Sequence, residues 1–340
     1  MTALEFDLPP GLAAAHPRPN REQTRLLVAR PSGIEHAVFA ELDAFLRPGD
    51  LLVVNTSATL AAALDGRRAD GRALTVHFAT ALDDGRWVVE LRPAVHATGP
   101  LTDVAAGERV RLPDGVTLTV LEPAAVAPGA TRLWRAEVGV EGGVEPYLAR
   151  HGRPIRYGYL DRPVPLADYQ TVFARHPGSA EMPSAGRPFT AELVTGLVAA
   201  GVALAPITLH TGVSSQEAGE PPMPERFTVP AATARMVNSA RAGGGRVVAV
   251  GTTVTRALES AADRTGRVRP KAGWTELVLG PTRRARVVTG LITGWHAPGA
   301  SHLQLLQAVA GTPLVAAAYD AALRERYLWH EFGDSCLLLP

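Results

Sequence analysis

Apolar positions along the chain fall into three rhythms. At 73–82 (ALTVHFATAL) they alternate nearly residue by residue, and 87–91 (WVVEL) repeats the alternation beyond Asp83-Asp84-Gly85. That is the pattern of a hairpin with one buried face. Runs at 109–112 and 116–121 flank Pro113-Asp114-Gly115 in the same way, and 131–138 supplies a fifth. Short strands separated by glycine turns, with no helical spacing among them, predict a small all-β module over residues 66–141.

The second rhythm is continuous rather than alternating. Residues 51–54 (LLVV), 202–209 and 247–250 (VVAV) are unbroken apolar runs, as expected of buried strands. A further strand is expected at 24–29. The third rhythm is helical, at 37–46, 144–150, 191–200, 231–242, 252–263, 302–310 and 314–327, with strands expected at 276–279, 286–292 and 335–339. Alternating helices and strands predict an α/β domain made of residues 1–65 and 142–340, interrupted by the all-β module. Residues 153–190 carry many Pro, Arg and Tyr and little periodicity, a long irregular connection of the kind that carries function or is disordered.

One stretch organises the rest. After the run at 247–250, Gly251 breaks the strand, and Thr252 and Thr253 offer hydroxyls to cap a helix running to about Asp263. Arg256 and Glu259, three apart, share one face of that helix as an expected ion pair. Such a junction leaves unpaired N–H groups and the positive end of a helix dipole at the strand's carboxyl end, suited to a carboxylate or phosphate. The same pattern also serves as an ordinary strand-to-helix connection. Other polar residues stand at expected strand ends: Asn55-Thr56-Ser57, His210, Trp295-His296 and Gly333-Asp334. In an α/β domain these gather over one sheet edge, where ligands bind.

Composition narrows the classes. A length of 340 residues suggests two domains, and 46% apolar with 20% charged residues describes a globular chain with ample core. A net charge of +1 produces no field that would announce nucleic acid or an acidic membrane. Lys271 is the sole lysine, so the positive charge is nearly all guanidinium, which suits bidentate phosphate or carboxylate contacts. Cys336 is alone, which excludes an internal disulfide and points to a reducing cytosol. The amino terminus lacks an export signal. The uncharged stretch 193–210 is interrupted by Gly196, Gly201 and Pro206, and reads as a core helix and strand rather than a membrane span. There is no G-x-G-x-x-G, P-loop, H-E-x-x-H, C-x-x-C or G-x-S-x-G. His77 and His96 lack a second ligand at metal spacing and read as structural or exposed.

Spaced motifs then recur in order: Pro17-x-Pro19-x-Arg21 with Arg25-Leu26-Leu27; Gly49-Asp50-Leu51-Leu52-Val53 with Asn55; Tyr169-Gln170-Thr171-Val172; Pro177-Gly178; and Pro183-Ser184-Ala185-Gly186 with Phe189. Thr208-Leu209-His210 follows, then Ala249-Val250-Gly251-Thr252-Thr253 with Arg256 and Leu258-Glu259-Ser260-Ala261, His296 with Pro298, and Tyr327 with Gly333-Asp334. Together these resemble the S-adenosylmethionine:tRNA ribosyltransferase-isomerases of queuosine biosynthesis over nearly the whole chain. The resemblance implies a large α/β domain built partly on a β-barrel with a smaller all-β insertion. It implies S-adenosylmethionine as ribosyl donor, tRNA as acceptor, no metal, and a cytoplasmic enzyme, for which a monomer is expected. In its light His210 and His296 are the candidate base and acid. Arg256 and the Thr252 and Thr253 amides are candidates to hold a carboxylate or phosphate. Glu259 is expected to orient Arg256, and Asp334 to bind an ammonium or ribose hydroxyl; Gly251 and Asn55 complete the expected binding set.

The sequence also departs from the family pattern. Ser57, Ala58 and Ala63 stand where the family carries Thr-Arg and a second Arg, and Arg187-Pro188 replaces Leu-His. Glu220 to Glu225, spanning Met223, keeps only the glutamate of a His-rich segment, and Gly294-Trp295 replaces Asn-Phe. The departures leave open a paralogue acting on a small molecule or cleaving the cosubstrate alone, and a non-catalytic binding protein on the same scaffold.

Overall fold

The continuous apolar runs become the middle of a nine-stranded sheet. The computed structural model describes residues 4–94, 99–124, 132–213 and 223–340. Its strands are β1 (Arg25–Arg30), β2 (Gly33–Val38), β3 (Leu51–Asn55), β4 (Ser57–Thr59), β5 (Ala63–Arg68), β6 (Ala73–Ala81), β7 (Trp87–Pro93), β8 (Arg109–Arg111), β9 (Thr117–Pro123) and β10 (Leu133–Val138). After helix α1 (Val144–His151) come β11 (His176–Ser179), α2 (Ala191–Ala199), β12 (Ala203–Leu209), β13 (Glu225–Val229), α3 (Ala231–Ala242), β14 (Val247–Val250) and α4 (Thr252–Ala261). The chain continues through β15 (Lys271–Thr275), β16 (Gly290–Gly294), α5 (Ser301–Ala310), α6 (Thr312–Arg324) and β17 (Ser335–Leu338).

Strand order in the large sheet is β15-β13-β12-β3-β14-β16-β17-β1-β2. The four central strands β12, β3, β14 and β16 are parallel, and β1 lies parallel to β17. Pleating sends alternate residues to opposite faces. Leu51, Val53, Val247, Ala249 and Leu291 pack under α3, α4, α5 and α6. Leu52, Val54, Val248, Val250 and Ile292 pack against Phe39, Phe189 and α2. Both faces are therefore covered, which is why these strands read as unbroken apolar runs.

The closed barrel belongs to the insertion: β10-β7-β6-β5-β8-β9 form one antiparallel ring beginning at Ala63. Its core takes in Val144, Tyr147 and Leu148 of α1, and the Tyr147 hydroxyl donates to the Pro113 carbonyl at 2.8 Å. Helix α1 therefore packs with the barrel, although the pattern assigned it to the large domain. Asp83, in the hairpin turn between β6 and β7, accepts from Trp274 Nε1 at 2.7 Å and pairs with Arg226, tying the barrel to the sheet edge. His77 is buried against Glu90, its partner across the β6–β7 pair, consistent with a structural role; His96 lies outside the described residues.

Several elements differ from expectation. The segment 37–46 is not an α-helix: β2 runs through Val38, and a 3₁₀ helix covers Phe39–Phe45. β2 is an edge strand lacking a buried face, so its sequence shows no alternation. The strand expected at 276–279 lies earlier, at Lys271–Thr275, where it pairs with β13. The strand expected at 286–292 starts only at Gly290, because the amides of Arg286, Val287 and Val288 donate to Glu259 instead. Among the described residues no helix is long and apolar enough to cross a membrane.

Candidate active site

A cleft partly open to solvent lies over the carboxyl ends of β12, β14 and β16. This is the edge where an open parallel sheet exposes helix starts and loop backbone. Gly251 adopts φ +99°, which turns the chain from β14 into α4, and its N–H donates to the Ile292 carbonyl at 2.8 Å. Gly251, not a threonine, is the N-cap, and no side chain caps this helix. The expected threonine hydroxyl cap is therefore absent. Thr252 and Thr253 are instead the first helical residues, whose amides have no intrahelical acceptor, and both line the cleft.

Arg256 also lines the cleft, but not as a free anion receptor. It pairs with Glu225, and its remaining donors reach the carbonyls of Leu277 (3.1 Å), Thr275 (3.3 Å) and Met223 (3.5 Å). It braces α4 against the start of β13 and the segment after β15. Glu259 does not orient it. Its carboxylate accepts from the amides of Arg286, Val287 and Val288 at 2.8–3.1 Å, so the expected Arg256–Glu259 pair is replaced by two separate anchors. Burial pushes the Glu225 carboxyl up to about 7 against the opposing pull of Arg256, and nearby Glu181 adds to the rise.

The two expected histidines do not meet in the cleft. His296 lines it, stacked on His302 with ring centroids 4.5 Å apart and planes 2° from parallel. The main chain of His296 is held on both sides, its N–H by the Tyr319 hydroxyl (3.2 Å) and its carbonyl by Trp329 Nε1 (3.1 Å). Burial lowers the pKa of both imidazoles, His302 to about 4 and His296 well below its usual value. His210 is not part of the cleft lining, although the adjoining Thr211 and Gly212 are. Its Nδ1 bonds Ser57 Oγ at 2.8 Å, and Ser57 bonds Ser179 at 2.6 Å. The ring occupies the space over Gly178, where a Cβ would stand 2.5 Å from Nδ1.

Asn55 and Asp334 likewise serve the frame. Asn55 accepts from the amides of Ser57 and Leu209 and donates to the Leu209 carbonyl (2.8 Å), with a longer 3.4 Å reach to Thr253 Oγ1. It locks β3 to the end of β12 beside the helix start. Asp334 accepts from the amides of Arg25 (3.0 Å) and Leu328 (2.8 Å) and from Arg18 (3.4 Å). It borders a smaller hollow beside the cleft, not the cleft itself. Among the described residues no three His, Cys, Asp or Glu side chains are grouped to hold a metal.

The profile of one family, described as queuosine biosynthesis protein, matches residues 1–338. The chain belongs to this family. It is 38% identical over its whole length to S-adenosylmethionine:tRNA ribosyltransferase-isomerase of Symbiobacterium thermophilum, covering 99% of that protein. It is 36% identical to the protein of the same name from Pelotomaculum thermopropionicum, both chains being covered completely. The crystal structure of S-adenosylmethionine tRNA ribosyltransferase from Thermotoga maritima is 28% identical with a TM-score of 0.54, covering 98% of this chain and 99% of that one.

Within this queuosine-family frame, several of the positions where the chain departs from the family motifs lie at the site and others lie away from it. Met223 and Gly294 line the cleft, and Arg187, Pro188 and Gly294 line the hollow next to it. Ala58 lies on β4, paired with β11, and Ala63 opens the barrel. Glu220 lies outside the described residues. Sequence reasoning missed His302 and Glu331, and did not single out Glu225 for the site. His302 sits in the first turn of α5, six residues beyond His296, and no spacing rule joins residues across that loop.

Proposed function

We propose that this chain is an S-adenosylmethionine:tRNA ribosyltransferase-isomerase. It moves the ribosyl group of S-adenosylmethionine onto the aminomethyl group of 7-aminomethyl-7-deazaguanine in tRNA, giving epoxyqueuosine with release of adenine and methionine. The observation that carries this reading is one cleft holding the first amides of α4, those of Thr252 and Thr253, together with a stacked imidazole pair, in a chain whose full-length relatives bear that enzyme's name. S-adenosylmethionine is a substrate, and the reaction belongs in the cytoplasm with tRNA.

The chemistry asks for a modest base in a water-poor site, because the sulfonium acidifies the neighbouring C5′ hydrogens. His296 supplies it. The Thr293 hydroxyl donates to the Gly294 carbonyl (3.2 Å) and stands 3.0 Å from His296 Nε2. The Thr293 hydroxyl thus holds the ring through Nε2, leaving Nδ1 outside that contact. Burial keeps this imidazole unprotonated, and so free to accept a proton, at neutral pH. The Thr252 and Thr253 amides, with the helix dipole behind them, receive negative charge developing on the substrate. His210 lies outside the cleft lining, beside Ser57 and the adjoining Thr211.

The test is release of adenine and methionine from labelled S-adenosylmethionine. Release that requires tRNA bearing the aminomethyl-deazaguanine supports the reading. Release without tRNA, or none under either condition, overturns it.

Glu225 provides a pH-dependent check on the cleft. Its carboxyl is raised from 4.5 to about 7 in the folded chain, so the native state holds that proton more tightly than the unfolded one. The corresponding stability is complete below about pH 4.5 and is lost as pH rises through 7. Against Glu225→Gln, the wild type is expected to lose relative thermal stability between pH 5 and 8; a difference in Tm that does not vary with pH refutes the assignment.

A further inference from the structure

The hollow beside the cleft contains an arginine with work left undone. Arg187 is 3% exposed. Its Nε donates to the Asp168 carbonyl at 3.3 Å, and its guanidinium lies over the Phe332 ring at 4.9 Å. Its Nη2 is buried and has no hydrogen-bond partner among the described residues. A buried cation with an unused donor is costly unless something anionic meets it. Burial, helped by the nearby Arg21, lowers its pKa to about 10, so it remains charged at neutral pH.

The hollow and the cleft share a wall made of Ser184, Ala185, Gly294 and Glu331, three of them small. Glu331 accepts from the Tyr159 hydroxyl, and burial raises its carboxyl to about 7. No ion pair joins Arg187 to Glu331. The other acid at the hollow, Asp334, is already engaged by two amides and Arg18. A buried cation and a half-buried acid thus line the same hollow without neutralising each other, as a site for a zwitterion requires.

We infer that Arg187 is the anchor of an oxyanion subsite, which takes the α-carboxylate of the substrate's amino-acid end while Glu331 receives its ammonium. This rests on the proposed use of S-adenosylmethionine and assigns which end of that molecule faces the hollow. The adenosyl part then lies toward the Gly251–Thr253 turn and His296. An RNA phosphate offers the same oxyanion chemistry, so the test separates the two sources.

The full-length protein and its Arg187→Met variant are titrated with four ligands. They are S-adenosylmethionine, its decarboxylated analogue, 5′-methylthioadenosine (which lacks the amino-acid end altogether), and an anticodon stem-loop RNA. The wild type is expected to prefer S-adenosylmethionine over the decarboxylated analogue by about 10- to 100-fold, the size of one charge-assisted contact. Arg187→Met is expected to abolish that preference while 5′-methylthioadenosine binds both proteins equally. Equal binding of that nucleoside also shows that the variant is folded, and Arg187→Lys is expected to restore part of the preference. An unchanged preference in Arg187→Met overturns the subsite. Weakened RNA binding with S-adenosylmethionine affinity intact assigns the anion to phosphate and overturns the carboxylate. If the wild type binds neither S-adenosylmethionine nor 5′-methylthioadenosine, it is the functional reading itself that fails.

Discussion

Replacing His296 with alanine is expected to lower turnover of S-adenosylmethionine by about two to four decades, the usual effect of removing a positioned acid or base. Affinity for 5′-methylthioadenosine is expected to stay within a few-fold, because the backbone at residue 296 is held by Tyr319 and Trp329 irrespective of its side chain. His210→Ala is expected to cost much less, since that ring faces Ser57 and Gly178 rather than the cleft. Single-turnover rates for the two variants decide the matter. A larger loss in His210→Ala than in His296→Ala would reverse the roles. The pH profile adds a second reading. Both His296 and His302 titrate well into acid, so the basic form persists as pH falls from 8 to 6, and any decline across that range belongs to other groups.

The second large effect lies in the barrel, away from the chemistry. Glu90 is fully buried on β7 and accepts from Arg92 and Arg132, both at 2.8 Å, with His77 across the strand pair at 3.7 Å. Burial alone would raise its pKa. The His77 and arginine contacts overcome that and hold it at about 2. The folded pKa lies below the unfolded value, so the associated stability is present above pH 4.5 and lost as pH falls through 2. Glu90→Gln removes the charge that two buried guanidinium groups face, and such a break typically costs about 3–5 kcal/mol. Urea unfolding at pH 7, followed through Trp87 and Trp134 of the barrel, is expected to show that loss. A midpoint within experimental error of wild type would mean that the cluster contributes nothing to holding the barrel closed.

What the sequence made legible followed the strength of each local pattern. The runs at 51–54 and 247–250 announced doubly covered strands, and period-two alternation marked the barrel strands, because in both cases burial dictates residue type directly. The Gly251 junction was readable too, since a positive φ between strand and helix calls for glycine. Roles within the site were less accessible. Arg256 and Glu259 are neighbours on one helix, yet each is claimed by a partner distant in sequence, Glu225 for one and the amides at 286–288 for the other. Helical spacing specifies which residues share a face but not what packs against it. His210 and His296 both follow apolar strands, and only the third dimension separates the one turned toward β4 from the one in the cleft. Arg187 looked like a departure from a motif; its meaning lies in being buried with a donor to spare.

The placing of β1 beside β17 has a consequence for how this molecule is made. Register joins Leu26 to Ser335 and Val28 to Leu337, so β1 must wait for a strand synthesised long after it. The barrel, whose pairings are mostly between successive hairpins, faces no such delay and can close during synthesis. Newly made chains should therefore pass through a form with a finished barrel and an open half-sheet, in which the edge of β1 that later meets β17 is still unpaired.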